Sequence, residues 1–297
     1  MRVLITGGSG YIGSHLAARL QADGQIVRVL DPRPVPPAIV EVLPYRVHLG
    51  SAATPSIAAR AVRGTDAVVH LGWAFDGGAA GKVVCANLLS TVNLLEAGLR
   101  EGIRRFVFVS TAVVYGPTGD RKATERDAPQ PRRSTIGGPF YAATKLACEE
   151  YCARYRAQGL PATVLRLHGV FSPDRLGPFE GMIGAARRGD PLRPIAEAGG
   201  EYVHLEDTLD VLAICLADPR AEGETFNVAG THTYSDVGLA ELIAEQVGGC
   251  DVRPIDDPTQ AMVSVGIERL RRTLGYTPRR GDFLRPMIEE RLATSDE

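Results

Sequence analysis

The strongest constraint on this chain is its start. Val3-Leu4-Ile5-Thr6-Gly7-Gly8-Ser9-Gly10-Tyr11-Ile12-Gly13 is an apolar run followed at once by glycines spaced G-x-x-G-x-x-G and by an amphipathic stretch. The spacing predicts a strand, a tight turn and the N-terminus of a helix. Gly7, Gly10 and Gly13 let backbone N–H groups approach a pyrophosphate, and the helix end, with Tyr11 and Ile12 in its first turn, adds positive potential. Asp31 closes the next strand, where a carboxylate can accept hydrogen bonds from adenosine ribose hydroxyls. It would repel a 2′-phosphate, so NAD is expected in preference to NADP. Arg33 is the nearby cation that could still meet that phosphate.

Arg2–Thr6, Ile26–Leu30, Tyr45–His48, Ala67–His70, Arg105–Ser110 and Ala162–Leu167 read as strands, with helical patterns between them. Runs such as Phe106-Val107-Phe108-Val109, apolar at every position, belong to strands covered on both faces. The expected fold class is therefore α/β, a doubly wound parallel sheet (Rossmann fold) with a smaller C-terminal substrate-binding lobe. The division expected is 1–172 for the NAD-binding domain and 173–297 for the lobe, segments of which can return to the first domain. Beyond Ser172, loops rich in Gly and Pro separate helices near Asp207–Leu216, Ser235–Val247 and Asp282–Leu292.

A formal charge of -2 with interspersed signs points away from nucleic acid and from anionic membranes, and toward a small-molecule partner. No apolar run approaches the roughly 20 residues of a spanning helix, and the chain opens directly into a strand. A cytoplasmic location without a signal peptide is expected. Cys85, Cys148, Cys152, Cys215 and Cys250 are scattered without ligand spacing, so thiols are expected and no metal site.

Tyr141 and Lys145 lie four apart at the start of a helix expected over Phe140–Arg156, on one face. A tyrosine is a poor base near neutrality, and an adjacent ammonium would bring its pKa down toward the working range. Lys82, Lys122 and Lys145 are the only lysines among 33 basic residues, so a lysine at this position stands out in an arginine-rich chain. Ser110-Thr111-Ala112-Val113-Val114-Tyr115-Gly116 leaves a strand at the carboxyl edge of the sheet, where doubly wound folds put their sites.

Together, the glycine loop, this S-T-x-x-V-Y-G segment and the Y-x-x-x-K pair resemble the extended short-chain dehydrogenase/reductase superfamily in its NAD-dependent epimerase/dehydratase branch, such as UDP-glucose 4-epimerase-like enzymes. His70-Leu71-Gly72, Asn87 through Ala97, Phe226-Asn227-Val228-Ala229-Gly230 and Leu274-Gly275-Tyr276-Thr277-Pro278 extend the resemblance over nearly the whole chain. It implies that Thr111, Tyr141 and Lys145 are catalytic: Tyr141 exchanges a proton with a sugar-like hydroxyl, Thr111 orients that hydroxyl, and Lys145 holds the nicotinamide ribose and tunes Tyr141. It implies further cofactor contacts from Leu71, Gly72 and Ser110, and from Ser51, where the family commonly has Asp. Asn87 is read equally as a cofactor neighbour or a helix cap. Trp73 and Lys82, after the fourth strand, and His168, Arg175 and His204 are the candidate substrate residues, each with a packing or solvent role as its simpler reading. A homodimer pairing Lys82–Arg100 with Phe140–Arg156 is implied as well.

The chain also departs from the family. Ala112 and Val113 stand where 4,6-dehydratases carry an acidic pair, which disfavours dehydration. Gly169 replaces a family Asn, and Gly199-Gly200-Glu201 replaces the arginine-led stretch that clamps a diphosphate, with Glu201 expected to repel one. Arg132, Arg133, Arg175, Arg193 and Arg253 are the candidate replacement cations. The expected reaction is sugar 4-epimerisation. Alternatives are a net NAD(P)-dependent dehydrogenase or ketoreductase of a sugar-like substrate and, from another class, a non-catalytic dinucleotide-sensing protein.

Overall fold

The computed structural model describes residues 1–34, 46–74, 80–119, 121–138 and 140–294. Contacts divide the chain into two compact units. Unit 1 comprises Met1–Thr111, Phe140–Arg166 and Leu209–Phe226; unit 2 comprises Ala112–Pro139, Leu167–Thr208 and Asn227–Glu297. This partition runs differently from a single boundary at 172, because 112–139 and 167–172 fall in unit 2 while 209–226 return to unit 1.

Unit 1 is built on a sheet whose strands, among the described residues, run in the order β3-β2-β1-β4-β5-β6-β10. These are β1 (Arg2–Thr6), β2 (Ile26–Asp31), β3 (Arg46–Leu49), β4 (Ala67–His70), β5 (Arg105–Thr111), β6 (Ala162–Leu167) and β10 (Thr225–Val228). β1 pairs in parallel with β2 and β4, β2 with β3, and β4 with β5. The strand order reverses between β1 and β4, so the loops leaving those strands diverge there and open a crevice at their carboxyl ends. Every residue of β4 and β6 is buried, which explains why these strands carry apolar side chains on both faces, with His70, Thr163 and Arg166 their buried polar positions.

The covering helices are α1 (Tyr11–Ala22), α2 (Pro55–Val62), α3 (Ala80–Glu101), α4 (Tyr141–Arg156) and, from Leu209 on, α6 (Leu205–Ala217). Their apolar faces close a core with the sheet: Leu94 and Leu95 of α3 and Cys148 and Cys152 of α4 meet Phe106 and Phe108 of β5. Full burial of each phenylalanine contributes about 1.5–3 kcal/mol.

Unit 2 has its own core, in which Phe179 and Ile183 of α5 (Pro178–Arg187) join Leu239 and Ile243 of α7 (Asp236–Gln246) and Leu284 and Ile288 of α9 (Leu284–Ala293). Short pairs β7 (Val170–Phe171) with β9 (Val203–His204) and β8 (Gly199–Gly200) with β11 (Tyr234–Ser235) complete it, together with α8 (Glu268–Leu274). The strand β10 and the helices α5 and α8 lie outside the sequence expectation. Among the described residues, no helix is long and apolar enough to cross a membrane.

Candidate active site

The turn after β1 requires glycine for steric reasons. Gly7 has φ +71, and a Cβ there would lie 2.7 Å from the backbone of Gly72; at Gly13 a Cβ would lie 2.3 Å from the Gly7 carbonyl oxygen. Gly10 is the N-cap of α1 and no side chain caps that helix, with Tyr11 and Ile12 opening its first turn. The carboxylate of Asp31, 1% exposed, accepts hydrogen bonds from the backbone N–H of Ser9 (3.1 Å) and of Arg33 (2.9 Å). Arg33 extends into solvent, 67% exposed, with its Nε 3.3 Å from Asp31. A close-packed glycine cradle, an uncapped helix start and a buried carboxylate at the tip of β2 fit a dinucleotide. Ser51, just beyond β3, is partly buried, and its hydroxyl accepts from the Ala53 N–H at 3.2 Å.

The segment leaving β4 is pinned at both ends. At one end the Gly72 N–H donates to Thr6 Oγ1 (3.1 Å), and the Leu71 N–H donates to the Thr6 carbonyl (3.2 Å). At the other, Asn87 clamps Ala74 twice, its Oδ1 accepting from the Ala74 N–H at 2.8 Å and its Nδ2 donating to the Ala74 carbonyl at 2.9 Å. Asn87 lies inside α3, so of its two expected roles the helix cap is excluded. Buried His70 joins the two ends, with Nδ1 2.7 Å from Thr6 Oγ1 and Nε2 3.1 Å from Thr91 Oγ1, which donates to the Asn87 carbonyl at 3.0 Å. The network assigns the neutral Nε2–H tautomer. Burial, with the Lys145 charge second, pushes the His70 pKa down to about 3.

Trp73 is carried by this pinned segment. Its ring centroid lies 3.9 Å from Lys145 Nζ, and it meets the Tyr141 ring edge-on at 5.9 Å. Lys145 is 4% exposed; its ammonium donates to the Val109 carbonyl at 2.6 Å and lies 5.0 Å from the Phe108 ring. A desolvated cation over an indole gains about 2 kcal/mol. Thr111 is the last residue of β5, and its side chain hydrogen-bonds Tyr141. Burial raises the Tyr141 pKa to about 12, against the lowering effect of that hydrogen bond. Burial also lowers the Lys145 pKa to about 7, partly offset by Cys148, Glu149 and Cys152. At Tyr141 desolvation of the phenolate thus outweighs the Thr111 hydrogen bond.

The Ser110 hydroxyl is committed inward, donating to Glu149 Oε1. Arg166 holds the same carboxylate through Nε (3.1 Å) and Nη2 (2.6 Å), and all three residues are buried. This buried pair was missed at the sequence level. Its available signal was Glu149, one further turn along the Tyr141 and Lys145 face of α4.

Lys82 lies in the first turn of α3, exposed. His168, Arg175 and His204 belong to unit 2. His168 is buried and stacked on Tyr202 at 5.3 Å, with its Nδ1 unpartnered among the described residues. The His204 ring nitrogen accepts from the Glu206 N–H at 3.0 Å, at the start of α6. Arg175 is exposed in a tight turn closed with Ser172. Glu201 is 1% exposed, its carboxylate held by Ser264 Oγ (2.9 Å), the Val265 N–H (3.0 Å), Thr233 Oγ1 (3.0 Å) and Lys122 Nζ (3.2 Å). Burial works to raise its pKa, but the bonds from Val265 and Ser264 carry it below the usual range. Its acceptors are therefore spent inside unit 2, contrary to the expectation of a free repulsive charge. Among the described residues no group of three or more His, Cys, Asp or Glu is arranged to hold a metal ion.

A Rossmann sheet with a glycine cradle at its switch point and a Thr–Tyr–Lys group at the end of β5 defines a dinucleotide-dependent redox class. The model of the NAD dependent epimerase/dehydratase family matches residues 3–229, and the chain belongs to this family of extended short-chain dehydrogenase/reductase enzymes. It is 28% identical to a dTDP-glucose 4,6-dehydratase from Streptomyces niveus, over 94% of this chain and 88% of that one. An uncharacterized UDP-glucose epimerase from Bacillus subtilis is 27% identical, over 84% of this chain and 83% of its own length. Among solved structures, a dTDP-glucose 4,6-dehydratase from Streptomyces venezuelae, with NAD bound, is similar at TM-score 0.82 and 26% identity, covering 97% of this chain and 96% of that one.

Proposed function

We propose that the chain is an NAD-dependent enzyme that interconverts a secondary alcohol and a ketone on a sugar or nucleotide sugar, as a 4-epimerase. The observation that carries this is the grouping of Thr111, Tyr141 and Lys145 beside the glycine cradle in one unit. The chemistry NAD supplies when bound is the acceptance and return of a hydride. Tyr141, protonated near neutrality, passes its own proton to neutral Lys145 as it takes that of the alcohol, and the relay runs backward when the ketone is reduced. Thr111 donates toward the Tyr141 oxygen and steadies it when the proton leaves. Lys145, with its pKa near 7, can carry that proton onward as well as orient the cofactor ribose. Buried Ala112 and apolar Val113 offer no acid or base for eliminating water, which favours epimerisation over dehydration.

A net dehydrogenase or ketoreductase is the second reading, favoured by one observation in unit 2. A Cβ at Gly169 would lie 2.8 Å from the Tyr202 ring, and one at Gly200 would lie 2.5 Å from His168. The stacked rings thus fill the positions where family members carry their polar Asn and Arg, and a substrate without a diphosphate suits this wall better. We also propose a cytoplasmic homodimer.

The test is to denature the purified protein and identify released nucleotides by mass spectrometry, then follow UDP-galactose and UDP-glucose by proton NMR. Retained NAD with interconversion supports the epimerase. Empty protein that reduces added NAD with a sugar supports the second reading, and neither behaviour with any sugar would overturn both.

A further inference from the structure

Trp73 touches both reactive side chains of unit 1, yet nothing about a proton or hydride transfer requires an indole there. Its position is imposed from two sides: Gly72 is tied to Thr6, Ala74 is clamped by Asn87, and His70 and Thr91 connect the two ties. Such a closed network leaves the segment 72–74 little freedom, so the ring is held where it is found. The ammonium of Lys145 is buried, and among the described residues it meets one carbonyl, that of Val109, and two ring faces, those of Trp73 and Phe108. The carboxylate nearest in sequence, Glu149, is ion-paired to Arg166.

We infer that Trp73 is a positioning residue for Lys145: its ring face holds the ammonium in the orientation from which it binds the cofactor, and Asn87 and His70 serve this by fixing the ring. This rests on the functional reading above, in which Lys145 contacts the cofactor ribose. It reassigns Trp73 from substrate contact to the support of Lys145. A cation held by a π face rather than a carboxylate keeps its N–H donors available for a neutral hydroxyl acceptor.

Two measurements test this, using NAD⁺ itself and the light emitted by Trp73, the single tryptophan of the chain. In calorimetric titrations with NAD⁺, Trp73→Leu should weaken binding about tenfold, and Trp73→Phe, which keeps a ring face, should recover most of the loss. Trp73→Leu introduced into Lys145→Met should cost less than twofold more than Lys145→Met alone. Multiplying losses in the double variant, or wild-type affinity in Trp73→Leu, would overturn the inference. Absence of NAD⁺ binding by the wild type would instead overturn the functional reading on which it rests.

The second measurement is independent of NAD⁺. Among the described residues, the titratable groups around Lys145 are His70 from β4 and Cys148, Glu149 and Cys152 from its own helix, with Tyr141 one turn before it against the same Trp73 ring. His70 is pushed down to about 3, Tyr141 up to about 12, and burial raises both cysteines. Lys145 therefore titrates apart from His70, Tyr141 and the two cysteines, near pH 7. Trp73 emission should titrate there in the wild type and lose that transition in Lys145→Met, with both proteins folded by circular dichroism. An emission transition unchanged by Lys145→Met would refute the contact.

Discussion

Burial favours the neutral form of Tyr141 and of Lys145, and so drives their pKa values in opposite directions, toward about 12 and about 7. Residue types and spacing were readable in sequence, but the balance between desolvation and hydrogen bonding depends on what the fold packs around each group. Tyr141→Phe should leave NAD⁺ affinity nearly unchanged by calorimetry while lowering turnover by a factor on the order of 10²–10⁴, since only the proton carrier is lost. Equal loss of binding and turnover would contradict the assigned role. His70 permits a second expectation. Its pKa falls from 6.5 to about 3 on folding, so the unfolded chain binds a proton in that window that the fold refuses. The corresponding stability is fully present above pH 6.5 and is lost as pH falls toward 3. At pH 4.5 the loss is about 3 kcal/mol relative to pH 7, at about 1.4 kcal/mol per pH unit. Urea midpoints at the two pH values should therefore differ less in His70→Asn than in the wild type.

Between elements, the Glu149–Arg166 pair ties α4 to β6, and Ser110 ties it to β5, one turn further along the catalytic face of the helix. Arg166→Leu would strand a buried carboxylate and should cost about 3–5 kcal/mol in urea unfolding, whereas Glu149→Met combined with Arg166→Leu should cost much less. Comparable losses in the single and double variants would show that packing, not charge, dominates. The sequence pattern located β1, β4 and β6 residue for residue because strands covered on both faces are mostly apolar on both, with few polar positions among them. It did not reveal β10, a run of four residues among loops rich in glycine and proline. Nor could it pair Glu149 with Arg166, since residues on different elements meet only after folding. The double clamp of Asn87 on Ala74 escaped notice for the same reason.

For the whole molecule, the apolar side chains left in solvent include Leu89 on α3, 50% exposed, and Tyr151 on α4, 36% exposed. In the proposed homodimer these helices face their counterparts, and sedimentation should report a dimer for the wild type and a monomer for Leu89→Arg. A dimer surviving that charge would move the interface elsewhere. The outermost strand of the sheet has a different consequence, for biosynthesis. β10 lies beside β6 in space but follows it by roughly sixty residues of chain, which at about 5–20 residues per second is several seconds of translation. During that interval the nascent protein carries an unpaired strand edge as it leaves the ribosome. In the growing chain the exposed edge is the six-residue β6, and in the finished sheet it is the shorter β10, so chains terminated before Thr225 should be the species that chaperones retain.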